Sequence, residues 1–381
     1  MSFVEARSGN AVVRCVAVIA KEGSLQGLGR AARRVPVSEF LQVCYAQSLY
    51  HEIRGELHLA HRLDKDLLRL SRQRDDAAGL VLAHQSLGRN LMFAGRFASS
   101  RSHLEQTLAL SDVGSDDSLV QQAGVHPRVA SQAFLAIVLF CLGHPDQALA
   151  RSTAAIAEAG RLAHAPSLAV SLTNGARLLS FDGNDATFEE WASQLATVAT
   201  EQGFLLWRAI GTTYRGWLKV KIGEVAEGIM LLRQGLAAYR ATGAEAWVPY
   251  QIALLARACE IAGQIEEAVG LLDDALQVVK RTEERWLDAE LHRHRGQLRL
   301  RQGHSGAAEE LYRKALSIAA EQGAKLWELR AAASLARLRR DQGRRAEARD
   351  LLAPVYGWFT EGFDTPDLKE AKALIDELGG A

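Results

Sequence analysis

The 381-residue sequence predicts an all-α fold, a right-handed superhelical solenoid of stacked helix pairs with a period of about 40 residues. Three observations carry this. Glycines recur at Gly143, Gly183, Gly223, Gly263, Gly303 and Gly343, each 40 after the last, and Gly55 and Gly95 keep the same interval. Seven places before them stand Gly88, Ala136, Ala176, Gly216, Ala256, Gly296 and Ala336, all small. Five places after them stand Ala148, Gly228, Ala268, Ala308 and Ala348, with Ser100 and Phe188 as departures. A tight turn needs a residue that tolerates unusual backbone angles, and two helices cross closely only over small side chains. The unit is clearest in RWLDAELHRHRGQLRLRQGHSGAAEELYRKALSIAAEQG, where one amphipathic segment ends at Gly303 and a second carries Ala308, Tyr312 and Ala315 to Gly323.

Composition agrees with one elongated domain. The chain is 48% hydrophobic and 24% charged, enough apolar surface to bury and unlike a disordered protein. Lys plus Arg equals Asp plus Glu at 45 each, so bulk charge steers the chain toward neither nucleic acid nor an anionic membrane. Cys15, Cys44, Cys141 and Cys259 are too scattered for a zinc ribbon, and reduced, buried thiols in a cytoplasmic protein are expected. The apolar run AVVRCVAVIA is interrupted by Arg14 and has no small-residue cleavage site behind it, and no run is long enough to cross a bilayer.

Taken in order, residues 1–38 form an irregular leader or broken first unit, with Gly23, Gly27 and Gly29 ahead of Arg30, Arg33, Arg34 and Pro36. Its GSLQGLG lacks the Lys-Ser/Thr of a phosphate loop. The repeat region spans 39–364 as about eight helix pairs, beginning with FLQVCYAQSLYHEI before Gly55 and a second helix around Leu57 to Gln73 with Ala60 at the crossing. In the next unit Leu87 and Gly88 precede the turn and Leu104 follows it. Eight extra residues separate Gly95 from Gly143, an insertion near 111–129 in which Gly114, Gly124 and Pro127 forbid an unbroken helix; it is either a plain loop or a recognition element. Phe188, a ring where a methyl group is expected, should displace or splay its helix pair. At 365–381, Thr365 as N-cap, Pro366 and Asp367 start a capping helix that ends at Gly379.

The columns of small residues mark a tetratricopeptide-like unit, about six residues longer than the usual 34 and so with a deeper inner groove. Several segments resemble the C-terminal repeat region of bacterial multidomain adenylate/guanylate cyclases and related ATPase regulators. These are HLEQTLAL, GHPDQALARS, LRQGLAAYRATGAE, ERWLDAELHRHRGQLRL and, most specifically, SLARLRRDQGRRAEARDLLAPVYGWFTEGFDTPDLKEAKALIDEL, within roughly 40–378. The resemblance implies a sensing and interaction arm in signal transduction. In that family the cyclase and nucleotide-binding domains lie N-terminal to the arm and neither is present here, so catalysis is not carried over and no cofactor is expected.

The glycine register selects Trp217, Tyr250, Arg257, Arg293, Arg301, Arg330, Arg337 and Arg340 as the inner face of the first helices in the four C-terminal units. Guanidinium forks suit a carboxylate, an acidic peptide or a phosphate, and the two rings add stacking surface. The alternative is a solvated arginine face paired with Asp and Glu across units. Trp207, Trp247, Trp286 and Trp327, also about 40 apart, read as wedges between neighbouring units. Metal chemistry is not expected: His58 and His61 lack a third ligand, His292 and His294 point to different sides of one helix, and DGNDATFEE misplaces the glycine and terminal glutamate of a calcium loop. The expected function is therefore a non-catalytic scaffold that binds a protein or peptide partner, acidic segments favoured, in the concave groove. The alternative is a small-molecule sensor arm that holds an effector inside the superhelix and regulates a cyclase or ATPase partner.

Overall fold

The computed structural model describes residues 37–111 and 117–380, and among them every regular element is a helix. Unit 1 pairs α1 (Val37–Ile53) with α2 (Leu57–Gln73), and unit 2 pairs α3 (Ala77–Phe93) with α4 (Phe97–Leu110). A short α5 (Asp117–Ala123) precedes unit 3, α6 (Pro127–Leu142) with α7 (Pro145–Arg161), and unit 4, α8 (Ala165–Asp182) with α9 (Asp185–Glu201). Units 5 to 7 are α10 (Leu205–Lys221) with α11 (Val225–Ala241), α12 (Val248–Ile261) with α13 (Ile265–Thr282), and α14 (Asp288–Arg301) with α15 (Ser305–Gln322). Unit 8 is α16 (Lys325–Asp341) with α17 (Arg345–Tyr356), followed by α18 (Pro366–Gly379). This is a right-handed tetratricopeptide-like solenoid in which each helix packs chiefly on its chain neighbours. Residues 1–36 of the leader, Cys15 among them, and Gly114 lie outside the described residues, and residues 37 and 38 already belong to α1.

The helices start and stop for local reasons. The Asp76 carboxylate accepts from the Gly79 N–H and the Asn184 side chain from the Thr187 N–H, each satisfying a free donor of a first turn. Prolines occupy first-turn positions in α6, α7, α8, α12 and α18, where no N–H is needed. The turn glycines hold left-handed angles, Gly143 at φ +92° for example. Thr365 departs from expectation: its hydroxyl donates to the Gly362 carbonyl instead of accepting from α18.

The crossing columns are as tight as their residues allow. A Cβ on Gly88 would meet the Leu104 side chain at 2.6 Å, and one on Gly216 would lie 2.8 Å from the Leu232 nitrogen and 2.9 Å from the Gly228 oxygen. Phe188 is fully buried, and its ring packs edge-on against Tyr214 of the following unit, centroids 5.6 Å apart. Beside it, Gly175 leaves the space that Trp191 fills. Part of the inserted segment packs into the core: Leu119 and Ala123 of α5 join Tyr45, Leu67 and Leu82 in the first two units.

A feature outside the repeat pattern is that the superhelix closes on itself. The Ile53 carbonyl at the end of α1 accepts from the Glu245 and Ala246 N–H groups at 2.8 and 3.1 Å. One unit later the Phe93 carbonyl accepts from Arg285 and Trp286 at 2.7 and 3.1 Å. Carbonyls left free by the last turn of a helix thus find partners five units further along the chain. The seam continues where Gly362 N–H donates to Asp146 at 3.0 Å and the Arg330 guanidinium donates to the Phe181 carbonyl at 2.8 Å. The tryptophans line it. Trp247 packs on Phe93 at 4.7 Å and on Trp286 at 5.2 Å, and Trp327 packs edge-on against Phe140 and Phe181. They wedge neighbouring units and also join successive turns of the superhelix; Trp207, half-buried, packs locally on Phe204. One core therefore runs from Phe93 through Phe140 and Phe181 to Trp327.

Candidate binding site inside the superhelix

In place of a continuous open groove, a small, partly open recess lies between α8, α10, α12 and α14. Ser180 and Phe181 come from α8, Trp217 from α10, Tyr250, Leu254 and Arg257 from α12, and Glu290, Arg293 and His294 from α14. Its volume is about 30 Å³, room for roughly two water-sized groups. A second notch, lined by Arg128, Glu158 and Arg161, is larger and open, and there Arg128 is already paired with Glu158 at 3.3 Å.

Of the residues chosen from the glycine register, Trp217, Tyr250, Arg257 and Arg293 meet in this recess. The other four are engaged elsewhere. Arg301 donates to the Glu260 carboxylate at 3.2 Å, Arg337 to Glu370 at 2.7 Å, and Arg340 to Glu377 at 2.9 Å. Arg330 spans Asp367 through both edges of its fork, at 2.9 and 2.6 Å. Within the recess Arg293 forms a two-toothed pair with Glu290, both contacts 2.7 Å. Most of these arginines are thus paired across units or within their own helix, Arg293 and Arg330 largely buried as they do so.

Arg257 differs. Among the described residues it makes neither a hydrogen bond nor an ion pair. Its side chain reaches solvent, but the walls around it are concave. Burial therefore lowers its pKa first, and the Arg293 and Arg330 guanidiniums lower it further. For Glu290, burial alone would raise the carboxyl; Arg293 outweighs it, helped by Arg330 and Arg257, and the pKa falls to about 2. Four guanidiniums, those of Arg257, Arg293, Arg301 and Arg330, face three carboxylates, those of Glu260, Glu290 and Asp367, which leaves one positive charge uncompensated.

The wall carries a second unused donor. Trp217 is 3% exposed and its Nε1 has no acceptor. Tyr250 donates to Ser180 Oγ at 2.9 Å, and His294 Nε2 lies 2.8 Å from Glu260. Sequence reasoning missed Phe181, Glu290 and His294. Glu290 was legible in principle, three residues before Arg293 on the same helix, whereas Phe181 joins only through the packing of α8 beside α12 and α14.

No three metal-ligating side chains converge among the described residues, His58 and His61 included. Cys44, Cys141 and Cys259 are buried and free, and no described helix is long and apolar enough to cross a membrane.

Fold and recess together define a tetratricopeptide-like solenoid with a small recess of largely apolar walls that carries Arg257, Arg293, Glu290 and His294. No protein-family model matches the sequence. In sequence the chain is similar to an uncharacterized protein of Rhizobium meliloti (strain 1021), 28% identical over 233 residues, 60% of this chain. The match spans about a fifth of that relative's length, 22%. In structure it is similar to a Rap protein crystallised with Competence and Sporulation Factor, with a TM-score of 0.57 and 13% identity over 90% of this chain and 98% of that one. It is also similar to the apo quorum sensor NprR of B. thuringiensis, with a TM-score of 0.50 and 14% identity over 91% and 96%.

Proposed function

We propose that the chain is a non-catalytic recognition arm in bacterial signal transduction that holds a peptide or a short segment of a protein partner inside the superhelix. The observation that carries this reading is the set of unused polar groups on the inner first helices. Gln85 Nε2, Arg89 Nη2 and Asn90 Oδ1 on α3, Thr173 Oγ1 and Arg177 Nε on α8, and Trp217 Nε1 on α10 are buried without partners. Arg89 lies over the rings of Tyr45 and Phe134, and Arg177 lies 3.5 Å over Trp247. Buried donors and acceptors without partners destabilise a fold by about 1–3 kcal/mol each, and a strand of peptide backbone satisfies both kinds. The Rap neighbour, in complex with Competence and Sporulation Factor, and the neighbour described as a quorum sensor support this use of the fold.

The recess favours a second reading, a small effector sensed inside the superhelix that regulates a cyclase or ATPase partner. The long Rhizobium relative, of which this chain matches 22%, supports an arm that works within or beside a larger protein. Panning a random peptide library against the full chain, followed by hydrogen exchange on the enriched peptides, tests the first reading. Protection on α3, α8, α10 and α12 is expected. Protection confined to the outer helices α9, α11 and α13 would remove it.

A further inference from the structure

We infer that the recess at Arg257 and Trp217 is an anchor for a single carboxylate, and that it discriminates against phosphate. This rests on the interior-binding reading and specifies its ligand. Arg257 brings the one guanidinium of the cluster without a carboxylate partner, and the Trp217 indole N–H brings a neutral donor without an acceptor. Both line the same recess. Together they offer what a carboxylate needs, a charge-assisted fork that reaches solvent and a buried second N–H beside it.

Size and charge narrow the ligand. About 30 Å³ admits the planar head of a carboxylate and little beyond its first carbon, so the body of the ligand must lie outside. Phe181, Tyr250, Leu254 and Leu287 around the head suit an apolar or aromatic carbon skeleton next to the charge. Phosphate at neutral pH brings close to two charges. The second would find no free cation, because the Arg293 fork is closed on Glu290 and Arg330 is held by Asp367. It would instead face the Glu290 carboxylate, itself a wall of the recess. A monoanion balances the site and a dianion overfills it.

The carboxylate could belong to a free organic acid, an acidic side chain or a chain terminus, and the probes separate these sources. With the full chain labelled at its indole nitrogens, sodium phenylacetate, N-acetyl-aspartyl-phenylalanine amide, N-acetyl-alanyl-phenylalanine and sodium phosphate are titrated at constant ionic strength. The readout is the Trp217 indole resonance, assigned with Trp217→Phe. At least one carboxylate is expected to move it saturably, and phosphate is not. Arg257→Gln should weaken the response roughly tenfold or more, while Arg257→Lys retains part of it. Because Arg257 has no internal partner and sits near two like charges, Arg257→Gln should fold normally, with an unfolding midpoint at or above that of the native chain.

Three results would overturn the anchor: no carboxylate moves the resonance, Arg257→Gln titrates as the native chain does, or phosphate binds more tightly than every carboxylate. If library peptides protect the inner helices equally in the native chain and in Arg257→Gln, interior binding stands and the carboxylate anchor falls. If no peptide protects the inner helices, the peptide reading falls, and the phenylacetate titration decides the anchor separately.

Discussion

Glu284 shows how far a single side chain can be pulled from its solution behaviour when the surrounding fold closes over it. It is fully buried and accepts hydrogen bonds from Trp286 Nε1 and the Trp247 N–H, each at 2.9 Å. Burial dominates these bonds and the Arg177 charge, and raises its pKa from 4.5 to about 8. The folded pKa lies above the unfolded one, so the fold prefers the protonated acid. Its contribution to stability is full below pH 4.5, falls as pH rises toward 8, and is flat beyond. Glu284→Gln, which stays neutral, should therefore gain on the native chain as pH rises through that window. Urea midpoints at pH 5 and pH 9 measure this, and an equal difference at both would show that Glu284 does not titrate there. Glu290 runs the other way: its pKa of about 2 lies below the unfolded value, so its contribution holds above pH 4.5 and is lost as pH falls toward 2.

Among elements, α18 has the largest role beyond its own unit. Leu368, Ala371, Leu374 and Leu378 cover the apolar face left open by Leu329, Ala332, Ala336 and Leu352, as the end of a solenoid requires. Asp367 at its first turn is held by Arg330, which also reaches the Phe181 carbonyl on α8. One guanidinium thus ties the cap to unit 8 and to unit 4. Arg330→Ala should cost on the order of 3–5 kcal/mol, because it leaves Asp367 and the Phe181 carbonyl without their donor. Urea denaturation gives the figure, and a loss under about 1 kcal/mol would mean that the tie is no stronger than an exposed salt bridge.

For the whole molecule, the seam changes what kind of object the repeat array is. An open solenoid sums nearest-neighbour terms and can fray unit by unit. Here units 1, 2 and 3 also bear on units 6, 7 and 8, so both halves should unfold in one transition. Phe93→Ala removes a fully buried ring that packs on Trp247 and should cost about 3–5 kcal/mol. It should also raise the radius of gyration by small-angle scattering and speed amide exchange at Arg285 and Trp286, which donate to the Phe93 carbonyl. Unchanged exchange there would mean that the ring packs without holding the seam.

The glycine interval and the two small columns were enough to determine the helix pairs, their turns and their handed stacking, because each depends on residues near in sequence. The same register picked out Trp217, Tyr250, Arg257 and Arg293, half of the candidate set, which α10, α12 and α14 bring to one recess. Closure was not legible, and the turn glycines show why. Gly55, Gly95, Gly143 and Gly183 are indistinguishable in sequence from Gly223, Gly263, Gly303 and Gly343. Yet a Cβ on any of the first four would strike a side chain across the seam within 3 Å, and one on the last four would meet nothing within 4 Å. Local spacing specifies the angle between neighbours, but a small change in that angle, summed over five units, decides whether successive turns touch. Only the folded molecule settles that sum, and with it which arginines find carboxylates and which one, Arg257, does not.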